Sequence, residues 1–290
     1  MASRRAFIAG SAAAALLPSV SAAQTARPEP WKTLRETTVL PPAVETGRQR
    51  VGDVELYYAI YGKGRPVVLL HPGLGHADYW ANQIGPLSQD FQVVVVDLRG
   101  HGRSTGSDTP LSYALMADDG GLAEVQLADQ LHLSKPAIVG WGDGAVVGLE
   151  LARRHPGRVS ELIAFGLTYD LAGQQPNVDK SETFIGYVHK AAADYKTLSP
   201  QPDRFDVAFQ QLEALWLKEP RYTAEDLATI RTPVTVMAAE YDEWVQLEHM
   251  KTAAAMIPGA RFVMLYRTSH FAPWQAPKTF NDTVRIALNY

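Results

Sequence analysis

The chain has 290 residues, of which 46% are hydrophobic and 20% are charged, and its formal net charge is −4. These values fit a soluble globular protein with one large domain, or with one domain that carries an insertion. The slight negative charge and the lack of a basic patch argue against nucleic acid as a partner. The chain contains no cysteine, which excludes disulfides, thiolate catalysis and cysteine metal sites.

Residues 1–23 have the features of an export signal. Arg4 and Arg5 precede an apolar stretch at residues 8–17, and residues 20–22 offer a cleavage site. This pattern predicts a twin-arginine signal peptide and a periplasmic or secreted protein, the alternative being an ordinary secretory signal with two chance arginines. The apolar stretch is too short for a stable anchor, so we expect no membrane anchor in the mature protein.

Short apolar runs and helical patterns alternate along most of the remaining chain. Residues 24–50 are rich in proline, threonine and charge, and we expect a loose lead-in segment there. Beyond it, the alternation is typical of βαβ units and a parallel sheet. The predicted strands lie at residues 54–61, 66–70, 91–97, 162–167, 233–239 and 261–266, with a further strand starting at residue 136. The predicted helices lie at residues 80–88, 122–131 and 146–154 and beyond residue 277.

The alternation stops at residues 169–231, which contain helical patterns but no apolar strand. Thr223 and Asp226 there have the spacing of a capped helix start. We interpret this segment as a helical cap inserted into an α/β core formed by residues 51–168 and 232–290.

Residues 136–145 read PAIVGWGDGA. A strand that enters a glycine-flanked turn and then a helix matches the nucleophile elbow, G-x-S-x-G, at Gly140 and Gly144. The middle position of the elbow is Gly142 rather than serine, so the hydroxyl group that attacks the substrate is missing.

Further motifs accompany the elbow in a characteristic order. The loop at residues 71–73 and the turn at residues 97–104 precede it, and Asp242 and His270 follow the last two predicted strands. In this order the motifs resemble the α/β-hydrolase superfamily over residues 51–290. Within it, they resemble esterases and amino-acid-ester hydrolases of the biphenyl-hydrolase-like kind, whose elbow reads G-W-S-D-G. The resemblance implies an α/β-hydrolase fold, a small ester or amide as substrate, and no cofactor.

The resemblance also implies an acid–base pair. A serine nucleophile needs a histidine to take its proton, and that histidine needs a carboxylate to orient it. His270 is the expected base and Asp242 the expected acid, with Asp170 as the alternative acid. His101 and Arg103 belong to a turn that is common in the superfamily, and we interpret them as structural. No metal is predicted, because the remaining histidines lack metal-ligand spacing: His76, His132, His155, His189 and His249.

Two backbone N–H groups are expected to form the oxyanion hole. One belongs to Asp143, and the other to Gly73 or alternatively to Leu74, because Pro72 has no N–H to donate. Asp143, Leu74 and Trp141 are also the expected substrate-binding residues.

Asp143 has two main interpretations. In the amino-acid-ester hydrolases that the chain resembles, the Asp after the nucleophile is thought to hold a substrate ammonium group. The structural interpretation, which we favour, is an acidic residue in the first turn of a helix, where the helix dipole stabilises it. A nucleophilic role, as in haloalkane dehalogenases, is disfavoured because Asp143 lies one residue after the middle of the elbow.

Gly142 allows different accounts of activity. The backbone at the elbow is strained by about 1 to 3 kcal/mol for a residue with a Cβ atom, and glycine avoids that strain. In the leading account, a hydrolase has lost its nucleophile, by drift or deliberate substitution, and its activity is absent or much reduced. Alternatively, His270 and Asp242 activate a water or abstract a substrate proton, or the pocket is a non-catalytic ligand-binding site. The sequence does not indicate the oligomeric state.

Overall fold

The computed structural model describes residues 29–119 and 133–289. The predicted signal peptide, the first residues of the lead-in and the predicted helix at residues 122–131 lie outside these ranges.

An eight-stranded sheet forms the centre of the molecule. Its order is β1-β2-β4-β3-β5-β6-β7-β8. β1 pairs with β2, and β2 with β4, in antiparallel fashion, and all the other neighbours are parallel. The strands are Glu45–Val51 (β1), Val54–Tyr61 (β2), Arg65–Leu70 (β3), Phe91–Val96 (β4), Ala137–Trp141 (β5), Leu162–Phe165 (β6), Val234–Ala239 (β7) and Arg261–Leu265 (β8).

Burial explains why most of these strands could be predicted. β5, β6 and β7 are buried at every residue, as expected for the inner strands of a parallel sheet that is covered on both faces. The predicted α/β-hydrolase fold, a mainly parallel sheet flanked by helices, is confirmed.

The lead-in needs a correction at its end. Residues 45–50, which were predicted to be loose, belong to β1 and pair with β2 from Glu45 to Val51. This strand lies at the edge of the sheet and is largely exposed. Its sequence, ETGRQRV, therefore lacks the apolar run that marks the inner strands.

Helices pack around the sheet and connect its strands. The helix Asp143–Arg154 packs against β5 and β6, and the helix Leu247–Met256 packs against β7. Among the residues that the structure describes, no helix is both long and apolar enough to cross a membrane. The helices are Ala81–Leu87 (α1), Tyr113–Asp119 (α2), Asp143–Arg154 (α3), Glu182–Leu198 (α4), Phe205–Trp216 (α5), Ala224–Ala228 (α6), Leu247–Met256 (α7), Ala272–Gln275 (α8) and Pro277–Leu288 (α9).

The segment between β6 and β7 carries α4, α5 and α6. Thr223 and Asp226 form a capping box at the start of α6, as their spacing predicts. Asp194 of α4 accepts a hydrogen bond from the Tyr79 hydroxyl at 2.9 Å and lies 3.3 Å from Nε2 of His76. These contacts hold α4 against the residues that follow β3.

Candidate active site

The predicted site residues meet at one edge of the sheet. The loop after β3 contains Gly73, Gly142 follows β5, Asp242 follows β7, and His270 follows β8. All four strands are parallel, so their carboxyl ends lie at the same edge. Ligand sites of open α/β sheets form at this edge.

Gly142 has a backbone conformation that would be strained in a residue with a Cβ atom. Its φ is +56° and its ψ is −118°, a region that residues with a Cβ atom rarely adopt. Its N–H donates to the carbonyl of Phe165 at 2.9 Å, and its own carbonyl accepts from Ala145 at the start of α3. A Cβ atom at Gly144 would collide with the backbone of Leu70, which explains why glycine is needed there as well.

The side chain that Gly142 lacks would point at His270. An ideal Cβ atom at position 142 lies 3.0 Å from Nε2 of His270 and 3.3 Å from Cβ of Pro72. Both separations are tight, so a larger residue would require His270 or the elbow to shift by a few tenths of an ångström. A side chain at position 142 would therefore point at Nε2 of His270, the predicted base.

The imidazole of His270 is held by Asp242. Nδ1 of His270 lies 3.0 Å from Oδ2 and 3.1 Å from Oδ1 of the carboxylate. Oδ1 of Asp242 also accepts the backbone N–H groups of Trp244 at 2.9 Å and Val245 at 2.8 Å. With its Nδ1 proton donated to Asp242, a neutral His270 has its basic lone pair on Nε2, the atom that faces Gly142.

Charge and burial act against each other on His270. Burial of the ring is the largest single effect and lowers the pKa of His270, whereas the charge and the hydrogen bond of Asp242 raise it, and the net pKa is above its ordinary value. The carboxylates of Glu243 and Asp143 raise it further. A raised pKa makes the neutral imidazole a stronger base, as the predicted role of His270 requires.

Asp170, the alternative acid, is used elsewhere. Its carboxylate accepts the N–H of Ala172 at 2.6 Å and so caps the short 3₁₀ helix Leu171–Gly173. The geometry thus brings Asp242 to His270 and leaves Asp170 as a capping residue. That Asp242 acts as a catalytic acid stays a prediction.

Asp143 is a buried carboxylate with neutral partners. Its Oδ1 accepts the Tyr113 hydroxyl at 2.9 Å, and its Oδ2 accepts Nε1 of Trp216 at 2.9 Å. Burial raises the pKa of Asp143, and the bonds from Trp216 and Tyr113 offset part of that effect. The carboxylate joins the elbow to α2 and to α5 of the cap, an arrangement that fits the structural interpretation. Binding of a substrate ammonium group stays a prediction.

The loop after β3 forms a tight turn beside the elbow. The N–H of Gly75 donates to the carbonyl of Pro72 at 2.9 Å, and Leu74 has a φ of +63°, as position three of a type II turn requires. The Tyr187 hydroxyl of α4 donates to the Gly73 carbonyl at 2.6 Å. A Cβ atom at Gly73 would collide with the Asp143 carboxylate, so only glycine fits. The N–H of Asp143, in the first turn of α3, has no partner within its own helix.

A cavity of about 30 Å³ separates the elbow from the cap. Because one water molecule needs about half of this volume, the cavity would hold about two water molecules. The elbow, the β3 loop, the cap and the histidine loop all contribute to its walls: Pro72, Gly73, Gly142, Asp143, Phe184, Tyr187, Trp216, Trp244, His270 and Phe271.

Two expected substrate-binding residues do not line this cavity. Trp141 is fully buried and packs edge-on against Trp80 and Trp274, with ring centroids 5.7 and 5.4 Å away. Leu74 is also buried and lies outside the cavity wall. Trp141 is the last residue of β5, and its ring joins an aromatic cluster of the core, so the geometry assigns it to packing.

Other side chains around the site were missed or were expected to be structural. Tyr113 contacts Asp143, and Glu243 contacts His270. The only sequence signal for either residue was the position of Glu243 next to Asp242, the predicted acid. His101 contacts the carbonyl of Arg99, and Arg103 pairs with Asp78. Both contacts fit the structural role that was predicted for these residues.

Within the described ranges, no group of three His, Asp or Glu side chains is arranged to hold a metal ion.

Comparison with known proteins identifies the type of scaffold. Residues 67–283 match the model of the alpha/beta hydrolase family. RutD of Caulobacter sp. (strain K31), named as a carbamate hydrolase, is 30% identical, and the match covers 79% of this chain and 94% of that protein. The enol-lactonase from Burkholderia xenovorans LB400 has a TM-score of 0.65 at 21% identity, over 84% of this chain and 100% of that one. A thermophilic esterase from Thermogutta terrifontis has a TM-score of 0.65 at 21% identity, and the match covers 85% of this chain and 98% of that one. The narrower resemblance to biphenyl-hydrolase-like proteins stays a prediction.

Proposed function

Since the chain belongs to the α/β hydrolase family, we propose that its site is built to hydrolyse a small ester or amide but has lost its nucleophile. In this proposal, ester hydrolysis by the chain is absent or strongly reduced. The observation that carries it is the position of Gly142, whose missing Cβ atom would lie 3.0 Å from Nε2 of His270. A serine there would place its hydroxyl beside the base that is needed to activate it.

The remaining parts support the same chemistry. His270 is oriented by Asp242, and Asp143 and Gly73, whose N–H groups are the proposed oxyanion donors, both line the cavity. These donors belong to the backbone and do not depend on the missing side chain. Removal of the nucleophile from a serine hydrolase lowers turnover about a millionfold. Binding and the oxyanion hole still leave a rate roughly 10³- to 10⁴-fold above that of the uncatalysed reaction in water.

The names of the similar proteins agree with a carbonyl substrate. A carbamate hydrolase, a lactonase and an esterase all cleave a bond at an acyl carbon. For this chain we propose a small acyl group, because the cavity is narrow and most of its wall is aromatic. Asp143 is proposed as a second contact for a substrate that carries an ammonium group.

We also propose that residues 1–23 direct export of the protein to the periplasm. The twin arginines and the apolar stretch of the sequence support this proposal. Fractionation of cells that express the chain with Arg4→Lys and Arg5→Lys, against the unaltered chain, tests it. Export that persists in the double variant would favour the ordinary secretory signal.

A second candidate function is hydrolysis or proton abstraction by the His270–Asp242 pair alone. It is favoured by the basic Nε2 atom of His270, which faces a cavity that has room for water where the serine would stand. A water activated there would attack the acyl carbon directly, with no acyl-enzyme.

The experiment compares the chain with Gly142→Ser and Gly142→Ala on short acyl p-nitrophenyl esters and amino-acid esters. We expect turnover from the serine variant alone, at least about 10³-fold above the other two. Both variants should lose about 1 to 3 kcal/mol of unfolding free energy, because both place a Cβ atom in the strained elbow. The alanine variant thus separates the effect of strain from the effect of the hydroxyl.

Each other result has a distinct meaning. A folded Gly142→Ser variant that stays inert on a broad panel would contradict the lost-nucleophile proposal. Turnover by the unaltered chain that His270→Ala abolishes would establish the second candidate. Saturable binding of an ester without turnover in any variant would make the chain a ligand-binding protein.

A further inference from the structure

A second carboxylate, Glu243, holds the backbone of His270. Its Oε2 accepts the N–H of His270 at 2.8 Å. Asp242 therefore fixes the imidazole ring, while its neighbour in sequence fixes the main chain that carries the ring. The two contacts act on different parts of the same residue.

The same carboxylate reaches the cap. Oε1 of Glu243 accepts the hydroxyl of Thr183 at 2.6 Å and the hydroxyl of Ser269 at 3.1 Å. Thr183 lies in the first turn of α4, and the next residue, Phe184, lines the cavity. The start of the cap helix thus contacts the cavity through one residue and the histidine loop through the other.

The contacts of Ser269 extend this arrangement to the N-terminal segment. Its hydroxyl accepts a hydrogen bond from Nε2 of Gln275 at 3.0 Å, and its backbone N–H donates one to Oε1 of the same side chain at 2.8 Å. Nε2 of Gln275 also donates to the carbonyls of Trp31 and Thr33, each at 3.1 Å. A continuous set of hydrogen bonds therefore runs from the N-terminal segment through Ser269 to Glu243.

We propose that Glu243 is a positioning residue, which sets the placement of His270 against Gly142 and couples that placement to the seating of α4. This inference deepens the proposed function, because it takes His270 as the working base. Movement of α4 away from the core breaks the Thr183 contact and leaves the Glu243 carboxylate with one donor fewer. The carboxylate is then less firmly held, and so is the main chain of His270 that it binds.

Charge provides a second link between the two residues. Burial raises the pKa of Glu243, the charge of Asp242 raises it further, and the bonds from Thr183 and His270 counteract this. In its ionised form, Glu243 in turn raises the pKa of His270. Loss of the Glu243 charge should therefore lower the pKa of His270, an effect that simple loosening of the fold does not predict.

The test titrates His270 by NMR in the full chain, using ¹³C-labelled histidine and His270→Gln to assign the signal. The variants are Glu243→Gln and Thr183→Val, with Glu248→Gln as the matched control, because Glu248 is 81% exposed and pairs with Lys251 on α7. We expect Glu243→Gln to lower the pKa of His270, because the charge that raises it is removed. Thr183→Val should shift the backbone amide signal of His270, Thr183→Ser should restore it, and Glu248→Gln should change neither.

The same variants in the Gly142→Ser background give a kinetic readout. Glu243→Gln should lower kcat about tenfold, because a small misplacement of the base is costly, and should move the midpoint of the pH profile downwards. A folded Glu243→Gln protein with unchanged pKa and amide signal of His270 would overturn the proposal. If that variant does not fold, Thr183→Val and Ser269→Ala decide, and unchanged His270 signals in both would overturn it. An inert Gly142→Ser protein would count against the proposed function alone, since the titration needs no activity.

Discussion

The acid–base half of the site and the elbow half differ in what they retain. In the acid–base half, every part that the chemistry needs is a side chain, and His270, Asp242 and Glu243 are joined by hydrogen bonds of 2.8 to 3.1 Å. In the elbow half, the parts that remain are backbone: the turn at Gly142, the N–H of Asp143 and the loop of Gly73. The element that the elbow half lacks is a side chain.

This difference shows which parts of such a site are easily lost. Backbone donors are fixed by the fold, so they survive any side-chain substitution that keeps the turn. In the proposed function, the nucleophile would stand on strained backbone, and its replacement by glycine would remove strain together with activity. Loss of Asp242 or His270 would bring no such relief, because each would leave a buried partner unsatisfied. Because their loss is costlier than replacement of the nucleophile by glycine, Asp242 and His270 are the less easily lost parts of the site.

The largest expected effect breaks the acid–base half. In the Gly142→Ser background, Asp242→Asn should lower kcat by about 10⁴-fold, because the amide no longer holds the Nδ1 proton of His270. The parent's activity should fall as the pH drops through the pKa of His270, since the base must be unprotonated to act. Asp242 raises that pKa, so the midpoint in the asparagine variant should move to lower pH. The measurement is a pH profile of kcat/KM.

Asp170→Asn is the matched control for this prediction. It removes the other acid that the sequence suggested, whose carboxylate caps a short 3₁₀ helix instead. Its effect on kcat should stay within a few fold, as expected for a side chain away from the base. A larger loss with Asp170→Asn than with Asp242→Asn would reverse the assignment of the acid.

A smaller effect is expected from the backbone of the elbow half. Gly73→Ala places a Cβ atom in collision with the Asp143 carboxylate and 2.7 Å from Cζ2 of Trp216. Either the Asp143 and Trp216 side chains or the loop must shift, and we expect the loop to shift together with the N–H of Gly73 because both side chains are held by the hydrogen bond between them. In the Gly142→Ser background, kcat should drop about 10² to 10³-fold, the effect of one lost oxyanion donor.

Gly157→Ala controls for the substitution itself, since nothing lies within 4 Å of a Cβ atom there. The variants are compared by kcat on one ester and by circular dichroism. A folded Gly73→Ala protein with unchanged kcat would assign the second donor to Leu74.

The sequence predicted the parts that depend on local pattern. Inner strands such as β7 are buried at every residue and mostly apolar because they are covered on both faces, whereas the polar edge strand β1 carries no such mark. Gly142, Asp242 and His270 were found because each follows a strand at a motif position. Glu243 and Tyr113 were not, because their contacts join residues 27 and 30 positions apart and follow from the folded geometry. Trp141 was expected to bind the substrate, and the structure places its ring in the aromatic cluster of the core.

The smallest expected effect tests whether the cap helps to shape the elbow half. The Tyr187 hydroxyl holds the carbonyl of Gly73, next to Leu74 with its φ of +63°. Tyr187→Phe removes a hydrogen bond that contributes about 0.5 to 1.5 kcal/mol. Expressed as a change in rate, this free energy corresponds to a fall of about 2- to 13-fold in kcat, measured in the Gly142→Ser background.

The division of that effect between kcat and KM identifies its cause. Tyr187 also lines the cavity, so it could act on the substrate directly. If the hydroxyl shapes the loop, an interaction made in the transition state is lost, and kcat falls while KM stays unchanged. If the hydroxyl contacts the substrate, KM rises at constant kcat. Tyr195→Phe on the same helix, where the ring packs against Phe205, should change neither constant. A fall in kcat alone would make the cap part of the oxyanion machinery, and a rise in KM alone would confine the contribution of Tyr187 to binding.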